Sequence, residues 1–229
     1  MNINEKRRID WVTGELKALP QGWAILDAGA GEQQFRSACT HLEYVSQDFC
    51  QYDGKGNSEG LHTGTWNYGR IDVVSDIARI PRPTSSFDAI LCTEVLEHVT
   101  DPLAAVDEFA RLLRKGGVLL LTVPFASLVH FAPHHYVTGF SKYWYLHHLR
   151  SRGFEIQVLE PNGDWFDLML QEVSRLPDVV RDQSPIAAFL TYPAVIAVRL
   201  TVNLLHAVGL LKNSSELGCF GYHCRAVKL

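Results

Sequence analysis

Five short strand-like runs, each with a carboxylate, a hydroxyl or a proline at or beside its end, constrain this chain more than any other feature. The runs are 24–28 (AILDA), 43–47 (EYVSQ), 71–75 (IDVVS), 87–93 (FDAILCT) and 118–125 (VLLLTVPF). Their lengths and apolar character read as buried strands. At or beside their ends stand Asp27, Asp48, Asp76, Thr93 with Glu94, and Pro124. Segments of helical period lie between or around them, at 5–19, near 33–40, from Asp101-Pro102 to Gly116-Gly117, and near 141–152. Strands alternating with helices predict right-handed crossovers and a parallel, doubly wound α/β sheet. Such sheets bind ligands outside the carboxyl ends of their strands, where the polar residues cluster here.

Two further strands are predicted at 154–160 and 222–229. The 229 residues, 47% of them hydrophobic, suit one domain over 1–229, with 161–215 as a helical insertion before the last strand. The formal charge of −4 argues against a nucleic-acid partner. The five cysteines are scattered and form no C-x-x-C pair, so neither a disulfide framework nor a zinc site is expected. No apolar run follows the basic residues of the first dozen positions, which predicts a cytoplasmic protein without a secretory signal. Residues 50–70 carry glycines, Asn57, Trp66 and Tyr68 with no visible period, and read as a functional loop.

Asp27-Ala28-Gly29-Ala30-Gly31 leaves the first strand directly. Glycine there allows a tight turn and close approach of a ligand, and a following helix would present free amides. Dinucleotide-binding folds use the same device, and Asp48 lies at a suitable distance. Position 34, however, is Gln where that fingerprint has its third glycine. Asp27 would also repel a pyrophosphate but attract an ammonium.

The stretch ILDAGAGEQQF resembles the first motif of class I S-adenosylmethionine (SAM)-dependent methyltransferases. FDAILCTEVLEHVTDP at 87–102 and RLLRKGGVLLLTVP at 111–124 resemble the fourth-strand and fifth-strand motifs of its small-molecule members. All three fall in the family's order. The resemblance implies a Rossmann-like, mostly parallel seven-stranded sheet with an antiparallel last strand. It implies SAM as cofactor and S-adenosylhomocysteine as product. Asp27, Gly29, Ala30 and Gly31 would hold the methionine end and Asp48 the ribose. Phe49, Asp76 and Ile77 would face the adenine, and Thr93 and Glu94 would line the methionine portion. Gln33 departs from the family, which often has glycine there, and residues 50–70 replace the helix expected between the second and third strands.

Methyl transfer is an in-line displacement in which alignment does most of the work. A hydroxyl acceptor gains from a nearby base, and no metal is required. The loop at 130–149 holds His130, His134, His135 and Tyr136. His134 and His135, ahead of His98, are the candidate bases, although each has a packing role as its alternative. Strand four ends in CTEVLEH, not in the Asn/Asp-Pro-Pro-aromatic motif of enzymes that modify nucleic-acid amines.

Residues 185–211 form a long apolar block with Tyr192, Arg199, Asn203 and His206 as a narrow polar stripe. That pattern suits packing on the domain, a homodimer interface or peripheral membrane contact, in that order. The leading expectation is a SAM-dependent methyltransferase acting on a small molecule, with the acceptor left open and a hydroxyl and a lipid-linked or glycan compound among the candidates. The alternatives are a non-catalytic SAM-binding partner or regulatory subunit and, far behind, a nicotinamide-dependent oxidoreductase.

Overall fold

The computed structural model describes residues 2–61, 63–181, 184–209 and 213–229. Its strands are β1 (Ala24–Ala28), β2 (Glu43–Asp48), β3 (Val73–Val74), β4 (Phe87–Thr93), β5 (Leu113–Pro124), β6 (Phe154–Asn162) and β7 (Gly221–Lys228). They form one sheet in the order β3-β2-β1-β4-β5-β7-β6. β1 pairs in parallel with β2 and β4, β2 with β3, and β4 with β5. β7 runs antiparallel to β5. The doubly wound sheet and its reversed last strand agree with the sequence analysis.

The helices are α1 (Ile3–Lys17), α2 (Pro102–Leu112), α3 (Lys142–Arg150), α4 (Trp165–Arg181) and α5 (Pro185–Ala207). Val12 and Leu16 of α1 pack with Ile25, Leu91 and Leu120 of the sheet, all fully buried. Each such side chain contributes about 1.5–3 kcal/mol relative to exposure. The opening of α2 follows its sequence: Pro102 stands in the first turn, and the Asp101 carboxylate accepts from the Leu103 and Ala104 amides at 3.1 and 3.0 Å.

Three elements differ from the sequence-based reading. No α-helix forms at 33–40, where there is only a 3₁₀ turn at Arg36–Cys39. Gln33 has φ of 58°, a conformation that no right-handed helix can run through, so the glycine loop is not backed by a helix N-terminus. β3 is two residues long instead of five, because the Asp72 carboxylate takes the Ser46 amide at 3.0 Å in place of a strand carbonyl. β5 begins at Leu113, so α2 ends before the Gly-Gly pair expected to stop it. Leu113 already pairs with Phe87 across an irregularity in register.

The chain divides into two compact units, Met1–Glu160 with Gly221–Leu229, and Pro161–Phe220. Every residue assigned above to cofactor or acceptor lies in the first. In the second, α4 and α5 pack together, and His206 of α5 stacks on Phe166 and pairs with Asp164 at 3.1 Å. Ala188 and Val195 form the buried seam of α5, while Ile186, Phe189, Leu190, Ile196, Leu200 and Leu204 are exposed. Arg199 and Asn203 of the polar stripe are exposed as well. Leu210 and Leu211, at the end of the apolar block, lie outside the described residues.

Candidate active site

Two loops meet at the carboxyl ends of β1 and β2. The Gly29 and Ala30 amides donate to the Gln47 carbonyl at 2.9 and 2.8 Å, and the Gly31 amide donates to the Asp48 carboxylate at 2.9 Å. Gly29 and Gly31 both have positive φ, 76° and 51°. A β-carbon on Gly29 would fall 2.5 Å from a Val95 methyl, and one on Gly31 would fall 2.8 Å from the Trp66 ring. Glycine is thus required at both positions by backbone and by space.

Asp27 is buried at the end of β1 and accepts from the Tyr44 hydroxyl at 2.6 Å. Burial pushes its carboxyl up to about 7, against the Tyr44 hydrogen bond, and the nearby Asp48 adds to the rise. Burial also raises Asp48, while the amides of Cys50, Gly31 and Phe49 pull it back. A group that titrates near neutrality and lies at a strand end is suited to a cationic ligand. Asp76 is exposed and closes its own turn by accepting from the Ala78 amide at 2.8 Å, with Ile77 buried beside it.

Thr93 is half-buried at the tip of β4, and Glu94 follows it with φ of 53°. The Glu94 carboxylate accepts from the Thr122 hydroxyl at 3.0 Å and pairs with Arg8 of α1 at 3.0 Å. Arg8 and Tyr44 escaped the sequence analysis. Each lies far along the chain from the acid it serves, and an Arg on a helix or a Tyr in a strand carries no local signal of such a partner.

Gln33 does not point at the glycine loop. Its amide donates to the carbonyls of Tyr68 and Arg70 at 2.7 and 3.0 Å, pinning the end of the glycine-rich segment. That segment is ordered by an aromatic cluster in which Tyr52 and Trp66 pack on Phe131, with centroids 4.3 and 5.2 Å from it. Leu61 bridges to the loop after β5 through the Val129 carbonyl and the Phe131 amide. The described residues of 50–70 and the loop 126–140 are therefore joined in one layer.

The structure separates the candidate histidines. The His134 ring meets the edge of Phe49 at 5.1 Å. His98, His130 and His135 gather instead, with centroids 4.6, 4.9 and 5.8 Å apart. His98 donates from Nδ1 to the His134 carbonyl at 2.6 Å. Burial, with His130 beside it, holds His98 down at about 3, so its ring is neutral at physiological pH. Burial likewise lowers His135. Beneath them lies Glu97, fully buried, with neither carboxylate oxygen hydrogen-bonded.

A model of the methyltransferase domain family matches residues 4–172. The chain belongs to that family. The matched part runs from α1 into α4, so most of the second unit lies beyond it. Ubiquinone biosynthesis O-methyltransferase of Xanthomonas oryzae pv. oryzae (strain PXO99A) is 34% identical over 118 residues, 50% of this chain and 48% of that protein. The chain spans about half the length of the curated relatives it matches. Among solved structures, the [4+2]-cyclase SpnF is similar with a TM-score of 0.55 at 19% identity, over 96% of this chain and 80% of that one. Phosphoethanolamine N-methyltransferase 2 of Haemonchus contortus, solved with S-adenosyl-L-methionine, has a TM-score of 0.54 at 14% identity, over 97% of this chain and 52% of that one. These likenesses establish the fold.

Proposed function

We propose that this chain transfers the methyl group of SAM to a hydroxyl of a small-molecule acceptor. The observation that carries the reading is the meeting of Asp27, the Gly29–Gly31 turn and Asp48 at two adjacent strand ends, with a histidine cluster beyond the tip of β4. Asp27 ionises to meet the ammonium of the methionine end, whose carboxylate faces the turn at Gly29, Ala30 and Gly31. Asp48 takes the ribose hydroxyls, Phe49, Asp76 and Ile77 border the adenine, and Thr93 and Glu94 line the methionine chain. In the reaction the acceptor oxygen loses its proton and attacks the methyl carbon, and the carbon–sulfur pair returns to sulfur. His134 and His135 are our candidate proton acceptors, and the low basicity of His98 makes it an orienting group (burial holds it near 3). The O-methyltransferase relative supports oxygen as the acceptor atom.

We read 1–229 as one working domain, with 161–215 as a helical insertion and the apolar face of α5 as a contact for a membrane surface or a second copy. By length and composition α5 alone, among the described residues, is apolar enough to cross a membrane, with a mean hydropathy of 1.6 over its best window. Its exposed apolar face supports a cytoplasmic protein acting at a membrane surface on a lipid-linked acceptor. Titration calorimetry with S-adenosylhomocysteine, NAD serving as control, tests the cofactor. Methylation assays on hydroxyl acceptors with and without a lipid tail then test the acceptor class. Micromolar binding without turnover on any acceptor would replace this reading with the second one, a SAM-binding regulatory protein. That second reading is favoured by one observation, the Trp66 ring closed down over Gly31.

A further inference from the structure

Glu97 poses a problem that the methyl-transfer reading does not use. It is wholly buried, and both its carboxylate oxygens lack a hydrogen bond. Leaving such a group uncompensated costs several kcal/mol. Two imidazoles face it. His98 Nε2 lies 3.7 Å and His130 Nε2 lies 4.0 Å from the same oxygen, Glu97 Oε1. Both distances exceed hydrogen-bond reach.

The tautomers are set from behind. His98 Nδ1 is 2.6 Å from the His134 carbonyl and His130 Nδ1 is 2.8 Å from the Leu128 carbonyl. A carbonyl only accepts, so each Nδ1 carries the proton, and the neutral His98 ring turns a lone pair from Nε2 toward the carboxylate, which His130 Nε2 also faces. Donation of the far N–H to a backbone carbonyl is also the arrangement that orients metal-binding histidines. His135 completes the group, and neither of its buried ring nitrogens has a partner. One ligand atom from each of His98, His130 and His135 lies within 4.8 Å of the others.

We propose that His98, His130 and His135, with Glu97, bind one divalent transition-metal ion of the zinc class. Three imidazoles select a borderline metal over magnesium or calcium, which take oxygen ligands. Zinc–nitrogen and zinc–oxygen bonds of about 2.0–2.2 Å fit between donors 3.7 and 4.0 Å apart, and His135 brings its ligand atom within 4.8 Å of those of the other two histidines. The elements that supply the ligands are the 3₁₀ turn at Leu96–His98 and the loop after β5, locked together where the Tyr136 and Val137 amides donate to the Glu97 carbonyl. Bound there, the ion would polarise an acceptor hydroxyl and engage His135 as a ligand, so that the proton passes to His134 or to water, not to His135, before attack. That use rests on the methyl-transfer reading, whereas the binding site does not.

The test uses the full chain, stripped with a chelator and titrated calorimetrically with zinc chloride alone, with magnesium chloride as control. One zinc per chain is expected, with no magnesium binding, and affinity should fall at least about tenfold in His130→Ala and in His135→Ala. Cobalt(II) added to the wild-type chain should give the intense visible absorption of a four-coordinate nitrogen-containing site, which decides the matter should either variant misfold. No stoichiometric zinc binding, or binding undiminished in both folded variants, or only a weak six-coordinate cobalt spectrum, would overturn the proposal. S-adenosylhomocysteine binding is followed in parallel. Zinc binding without it sinks the methyl-transfer reading alone, and the reverse sinks the metal site alone.

Discussion

The Gly31 amide and the Asp48 carboxylate, 2.9 Å apart, fasten the loop after β1 to the end of β2. The other oxygen of Asp48 accepts from the Cys50 amide at 2.9 Å, so this one side chain braces the backbone on both sides of the site. Asp48 is therefore a structural pin as well as the residue we propose to meet a ribose.

Replacing Asp48 with Ala removes charge-assisted bonds of about 1.5–3 kcal/mol each. The dissociation constant for S-adenosylhomocysteine should rise at least tenfold by calorimetry, with Asp48→Asn intermediate. An unchanged constant would remove Asp48 from the cofactor site.

Asp27 predicts a pH dependence of stability. Its folded-state value of about 7 lies above the ordinary 3.8, so the native state keeps a proton that the unfolded chain has already lost. Stability must then fall as pH rises from about 4 through 7. Asp27→Asn should raise Tm at pH 8 and leave it nearly unchanged at pH 4. Tyr44→Phe removes the donor that favours the ionised form and should deepen the loss at pH 8. Parallel Tm curves for wild type and Asp27→Asn would refute the assignment.

Gly29→Ala forces a β-carbon into Val95 and into a left-handed backbone, at a combined cost of about 1–3 kcal/mol. Adding Val95→Ala should recover the steric part and leave roughly 1 kcal/mol of backbone strain. Urea denaturation of the two variants checks this, and a double variant no more stable than the single would show that the contact is unimportant.

Ile186→Glu with Phe189→Glu places charge on the exposed face of α5. Flotation with vesicles, or sedimentation if the contact is between copies, should show loss of association with S-adenosylhomocysteine affinity intact. A wild-type chain that neither floats nor dimerises would leave α5 without the proposed role.

The strand ends were legible because an apolar run stopped by a carboxylate has one sensible place in a parallel sheet. The first, second and fourth strands and Asp101-Pro102 follow from that logic. Gln33 was opaque: a left-handed Gln has no sequence signature, and its partners, the Tyr68 and Arg70 carbonyls, belong to a segment without period. For the same reason the segment 50–70 could be called a loop but not placed. The histidine cluster lay deeper still. His98 follows β4 and His130 and His135 follow β5, and only the parallel pairing of those strands brings the two stretches together. The sequence offered His134 and His135 as equals, yet His134 closes a turn from Phe131 and the two rings part there, one to Phe49 and one to His98.

At the edge of the second unit the Phe220 amide donates to the Asn162 carbonyl at 2.9 Å, so the chain leaves β6 and re-enters at β7 through one bonded doorway. Whatever length of polypeptide passes through that doorway, β7 arrives at the same register against β5. Changes in length or surface of the region between are therefore expected to leave the β5–β7 register, and the strand ends beside it, in place.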